Sequence, residues 1–217
     1  MSEQPNNSKI YNALTKIQTI SAFTFSGFVL MHGAQILGAN VGGSRYANYA
    51  IMNFRPIYQD AHLEGILVTG SAMTHVLAGL AKAAMRPSRK INRHRLAGYA
   101  LIPTVGLHYY LVRSIPIKYY GDSAFIDFGY IAWGLQNRPW FTYGLHVALA
   151  LATGYHVVYG AQYLVKRRSS SNNSKKIKNA LAAGLGLALV SGLVIIGRDT
   201  KKIPLRIDFQ KMYSMVF

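Results

Sequence analysis

Five histidines stand inside long apolar stretches of this chain: His32, His75, His108, His146 and His156. An ionisable side chain is expensive in hydrocarbon, so imidazoles held within such segments point to a functional site. Two of them share a local pattern. His75 opens HVLAG and His156 opens HVVYG, each with a glycine four residues on, Gly79 and Gly160. Positions i and i+4 lie one above the other on the same helix face. A glycine there removes the side chain, so a flat macrocycle can lie against the helix while the imidazole reaches its metal. Imidazole is an axial ligand of haem iron. Each segment is also followed by basic residues, Arg86, Arg89 and Lys90 after the first and Lys166, Arg167 and Arg168 after the second. Their depth suits pairing with porphyrin propionates.

The elements that must position these residues are apolar helices. Stretches at about 18–38, 64–85, 97–115, 141–165 and 178–197 each approach the roughly 20 residues needed to cross a bilayer. The predicted fold class is all-α integral membrane, a five-transmembrane-helix bundle. Residues 1–17 form a short polar N-terminal tail, 18–197 the membrane domain and 198–217 a basic C-terminal tail. Pro103 inside the third helix is tolerable where neighbours satisfy the freed carbonyl. The fifth helix is rich in Gly and Ala, which suits close packing. The loops 40–63 and 114–140 carry Tyr, Trp and Pro and read as interfacial or re-entrant pieces. Trp133, Trp140 and Tyr143 fit a membrane–water belt.

Composition agrees. Of 217 residues 51% are hydrophobic and only 14% charged, below the share found in soluble domains. The absence of cysteine removes disulfide scaffolds, iron–sulfur clusters and thiol chemistry. The net charge of +17 raises the question of nucleic acid, but its distribution answers it. With five crossings, the N-terminus and the short basic loops 82–95 and 166–178 fall on one side, the asymmetry of a membrane protein with positive loops. No nucleic-acid partner is expected; membrane lipid is. The N-terminal tail lacks an apolar signal core and has no arginine, so organellar targeting is expected to lie in the membrane segments. No phosphate-binding glycine loop or Ser/His/Asp arrangement stands in a suitable setting, and acidic residues are few. The chain carries no catalytic motif of its own, and at most it is an electron-transfer subunit.

Helices one and three run the same way, and so do helices two and four. His32 therefore pairs with His108 at one depth and His75 with His156 at another, two bis-histidine sites for haem b. His146 is left open as a quinone contact, an alternative helix-four ligand or plain packing. His62 and His94 are expected in solvent. Lys16-Ile17-Gln18, Ser26-Gly27 and His32 parallel Lys90-Ile91-Asn92, Ala97-Gly98 and His108. This reads as a diverged tandem repeat of a two-helix unit with a fifth helix appended.

The histidine layout resembles the membrane anchor of the succinate dehydrogenase/fumarate reductase family over roughly residues 16–197. The five-helix, two-haem form of that anchor likewise has axial histidines in its first four helices and none in the last. That resemblance implies a di-haem b-type cytochrome passing electrons between quinone and a dehydrogenase partner. The segments HVLAG from His75, RHRLAGYALIPTVGLHYYLVRSIPI from Arg93 and HVVYG from His156 resemble a fungal mitochondrial adaptor family more closely. This resemblance implies a multi-pass mitochondrial protein, in the outer membrane ahead of the inner, serving lipid homeostasis by recruiting a bridge-like lipid-transfer protein. Recruitment in that family uses a proline-containing N-terminal motif; here Pro5 is the one proline of the tail.

Overall fold

The computed structural model describes residues 5–60, 62–86, 91–164, 172–202 and 206–217; among them every regular element is helical. Helix α1 (Pro5–Tyr58) is a bent pair of arms. The break falls at Gly42 and Gly43, and Gly43 takes φ 68°, a left-handed backbone that favours glycine. The second arm folds back until the Tyr58 ring packs 5.1 Å from that of Phe28 and its hydroxyl accepts from Gln35 Nε2 at 2.9 Å. The loop expected at 40–63 is thus largely a helical return arm.

A π-helical turn (Glu64–Gly70) leads into α2 (Ser71–Met85). Asn92 caps α3 (Arg93–Tyr109) by accepting from the Arg95 N–H at 2.8 Å, and Pro103 sits within α3 without ending it. A second π-helical turn (Tyr110–Ser114) and a short α4 (Ile115–Tyr120) follow, closed by Gly121 at φ 80°. After Asp127 caps it, α5 (Phe128–Asn137) is succeeded by α6 (Pro139–Leu164), α7 (Asn172–Asp199) and α8 (Ile207–Tyr213).

Among the described residues three helices are long and apolar enough to cross a membrane: Ser8–Tyr58, Glu64–Met85 and Asn173–Asp199. The histidine-bearing α3 and α6 are not among them. α1 packs on α2 and on α7, and α6 packs on α7 and on α3. The α7 crossings rest on missing side chains. A Cβ at Gly192 would stand 2.3 Å from the Ile36 carbonyl oxygen, and one at Gly154 of α6 would stand 2.9 Å from that of Ala182. The small-residue composition of the last helix therefore does what the sequence suggests.

The main core lies at the end of the bundle away from the basic loops. There α5, expected to be part of a loop, is buried over most of its length. Tyr130, Phe209, Met212 and Tyr213 are fully enclosed with Leu111 and Ile115. Residues 207–213, within the stretch expected as a tail, thus close the core instead. Of the expected aromatic belt, Trp140 is exposed, whereas Trp133 packs 4.8 Å from the Tyr213 ring. Glu64 and Arg113, one in each π-helical turn, form a largely buried ion pair that ties the start of α2 to the end of α3.

The docking of α8 is held at its rim by Asp208, which accepts from Tyr120 and Tyr119 at 3.1 and 3.2 Å and faces Arg206 at 3.4 Å. The Tyr120 hydroxyl, then that of Tyr119 and the Arg206 guanidinium, hold this carboxyl below its usual range. A depressed carboxylate stabilises above its unfolded pKa of about 3.9 and loses that contribution as pH falls through the lower folded value.

Two outcomes are expected. Gly192→Leu should lower the thermal midpoint in detergent, a loss of about 1–3 kcal/mol from overpacking. Gly184→Leu should leave it unchanged, since no atom lies within 4 Å of a Cβ there. Equal midpoints for both variants would contradict the tight α1–α7 crossing. For α8, Trp133 fluorescence in a Trp140→Phe background should report release only below about pH 4, and Asp208→Asn should abolish that transition. An unchanged transition in Asp208→Asn would exclude Asp208 as its origin.

Candidate functional site

Six of the seven histidines gather into two groups of three. At the end nearer the α5–α8 core, the His32 and His108 rings lie 6.0 Å apart, and the His108 and His146 rings 5.2 Å apart. Nearer the basic loops, the His75 and His156 rings lie 6.1 Å apart, and His94 stacks on His156 at 4.4 Å and 7°. His146 and His156 are ten residues apart on α6, which separates the two levels by about 15 Å. The pairs expected from helix direction are therefore the pairs brought together. Two imidazoles that share one metal stand roughly 6 Å apart between ring centres, from bonds of about 2 Å and about 1 Å more to each centre.

The hydrogen bonds decide which nitrogen each ring presents. A carbonyl oxygen only accepts, so the ring nitrogen facing it carries the proton. His75 Nδ1 donates to the Gln18 carbonyl at 3.2 Å, and His156 Nδ1 to the His94 carbonyl at 3.3 Å. His32 Nδ1 donates to Gln35 Oε1 at 3.2 Å. His146 Nδ1 donates to the Thr142 carbonyl at 2.7 Å, which leaves its Nε2 an acceptor for His108 Nδ1 at 3.3 Å. In His32, His75, His108 and His156 alike, Nδ1 is engaged and the Nε2 lone pair is left to bind. That is the arrangement by which a metal-ligating imidazole is oriented.

Each level thus holds two imidazole rings about 6 Å apart. Among the described residues no three or more His, Asp or Glu side chains are arranged to hold a bare metal ion. Phe28 stacks on His32 at 5.4 Å and 8°, and Gln35, three residues on, is fully buried between His32 and Tyr58. A buried glutamine at i+3 from an apolar-stretch histidine was a signal available in the sequence.

Each of the two glycines faces a protein side chain. A Cβ at Gly79 would stand 2.8 Å from the Gln18 side chain, and one at Gly160 would stand 3.4 Å from the His94 ring. Each HxxxG face packs against the start of the preceding helix of its own two-helix unit. Both helix pairs, α1–α2 and α3–α6, show this contact together with the Nδ1 hydrogen bond to a carbonyl there, although the repeat register read from sequence sets Gln18 against Asn92 and not against His94. His94, expected in solvent, is half-buried, and its Nε2 is enclosed without a hydrogen-bond partner. The Asn92 cap starts α3 early enough to put His94 on the helix. His62 is exposed as expected.

Of the basic residues set against propionates, Arg86 lies over the Tyr11 ring at 4.1 Å, and nearby Lys82 donates to Gln18 Oε1 at 3.0 Å. Arg89, Lys90, Lys166, Arg167 and Arg168 lie outside the described residues.

Residues 103–201 match the family model described as MDM10-complementing protein 1, transmembrane domain. The matched region takes in His108, His146 and His156 and leaves out His32, His75 and His94. No curated protein and no solved structure matches the chain. The chain is thus similar, over just under half its length, to a family's transmembrane domain, and it carries three helices long and apolar enough to cross a membrane.

Proposed function

We propose that the chain is a multi-pass mitochondrial membrane adaptor whose helical core holds haem b at two bis-histidine sites. On this reading α3 and α6 cross the membrane beside the three longer helices, making five crossings. The outer membrane is its location, and lipid homeostasis at organelle contacts, through a soluble lipid-transfer partner, is its role. The family match favours this adaptor reading over an electron-transfer anchor for a dehydrogenase.

The observation that carries the haem part is the pairing itself: His32 with His108 and His75 with His156, each with Nδ1 engaged and Nε2 free. The likeness of the histidine layout to the di-haem anchor of succinate dehydrogenase and fumarate reductase supports the same assignment. Haem b at such a site supplies one-electron chemistry. The chain's own contribution is geometric. Helices α1 and α3 present the first pair and α2 and α6 the second, so each site joins one two-helix unit to the other. Gln35, the Gln18 and His94 carbonyls and His146 hold the ring orientations. Phe28 covers one face of His32.

Detergent-purified protein from haem-replete cells should show sharp b-type bands in the reduced-minus-oxidised spectrum, with about two haems per chain by pyridine haemochrome. His156→Ala or His75→Ala should remove one and leave the other, and His32→Ala or His108→Ala should remove the second. A wild-type protein without a Soret band would remove haem from this reading and leave the bundle a scaffold. Gly79→Leu and Gly160→Leu should lower stability along with haem content. Loss of haem from these variants at unchanged stability would return the glycines to the macrocycle face.

A further inference from the structure

His146 is the fifth histidine within the apolar helices, and the hydrogen-bond geometry assigns it a role. We propose that His146 is a positioning residue for His108, not a ligand. The inference rests on the haem reading for its consequence, but its geometric core stands without it. His146 Nδ1 lies 2.7 Å from the Thr142 carbonyl, the acceptor one turn back on the same helix. That bond places the proton on Nδ1 and turns Nε2, as a lone pair, towards α3. There it meets His108 Nδ1 at 3.3 Å, with the two rings edge to face at 84°. His108 must then donate through Nδ1, which leaves its lone pair on Nε2, and the His32 ring lies 6.0 Å away. A neutral imidazole has one donor and one acceptor nitrogen, and both of those on His146 are spoken for. It has no lone pair left for a metal.

His146 thereby does for His108 what Gln35 does for His32 and what backbone carbonyls do for His75 and His156. His32, His75, His108 and His156 are held in one tautomer by two backbone carbonyls, one glutamine side chain and one imidazole, that of His146. Outer acceptors of this kind typically change metal affinity about 10–100-fold when removed.

The test uses the full chain in detergent and has two readouts. The first needs no haem: long-range nitrogen–proton NMR of the 15N-histidine-labelled apo protein, with resonances assigned from single-histidine variants. His108 and His146 should both be Nδ1–H tautomers, and His146→Leu should shift His108 out of a pure Nδ1–H state while His146→Gln, which keeps a carbonyl acceptor, restores it. A His108 that carries its proton on Nε2, or is unmoved by His146→Leu, overturns the proposal. The second readout is titration of the apo protein with haemin. His146→Leu should weaken one of two sites about 10–100-fold, His146→Gln should recover most of that loss, and His108→Ala should abolish the site. Abolition by His146→Leu and His146→Gln alike would make His146 a ligand, and unchanged affinity in both would make it packing. Should wild type take up no haemin, the haem reading fails while the NMR result still decides the role of His146.

Discussion

An imidazole within apolar helices must put its N–H on an acceptor, because no solvent is there to take it. At His32, His75, His108, His146 and His156 the acceptor lies at Nδ1. The Gln18 and His94 carbonyls, the Gln35 amide and His146 each take that proton, which leaves the lone pairs of His75, His156, His32 and His108 on Nε2. The rest of the bundle can be understood as the means of holding these four rings within about 6 Å of their partners. Each pair draws one histidine from α1–α2 and one from α3–α6, so the two helix pairs meet at both sites.

Helix α7 and the end core fix the frame. Without a Cβ, Gly192 lets α7 approach the backbone of α1, and Gly154 does the same between α6 and α7. The Asp199 carboxylate at the end of α7 accepts from the Ser44 N–H at 3.1 Å, just past the bend of α1. The return arm of α1 then carries Tyr58 back to Gln35, so the bend at Gly43 and the orientation of His32 are linked through one hydrogen-bonded chain. Around the other level, Lys82 and Gln18 tie α2 to α1 beside His75.

The pairing of the histidines was legible from helix direction and residue spacing, since both follow from chain order and rise per residue. The all-helical class and the close packing of the last helix were legible from composition. Other features were not. Both HxxxG motifs put a glycine on the histidine's helix face, but the sequence does not say what lies beside it, and Gln18 and His94 do. His94 reads as loop because Arg93 and Arg95 flank it; the Asn92 cap, which places it on a helix, is a local signal easily outweighed by charge. The stretch FGYIAWGLQN is too short to cross a membrane and reads as interfacial. Its burial as α5 depends on Phe209, Met212 and Tyr213 arriving from some eighty residues away. A tail with few acidic residues conceals that Asp208 and three aromatic or sulfur side chains return it to the core.

The central proposal is that the His32–His108 and His75–His156 pairs, each with ring centres about 6 Å apart, would each hold one haem iron. Electron–nuclear double resonance of the ferric protein, labelled with 15N only in histidine, tests it most directly. The account predicts low-spin signals in which each haem couples to two axial histidine nitrogens, with one class of haem lost in His32→Ala and the other in His75→Ala. High-spin signals, or a single axial histidine nitrogen per haem, would contradict it.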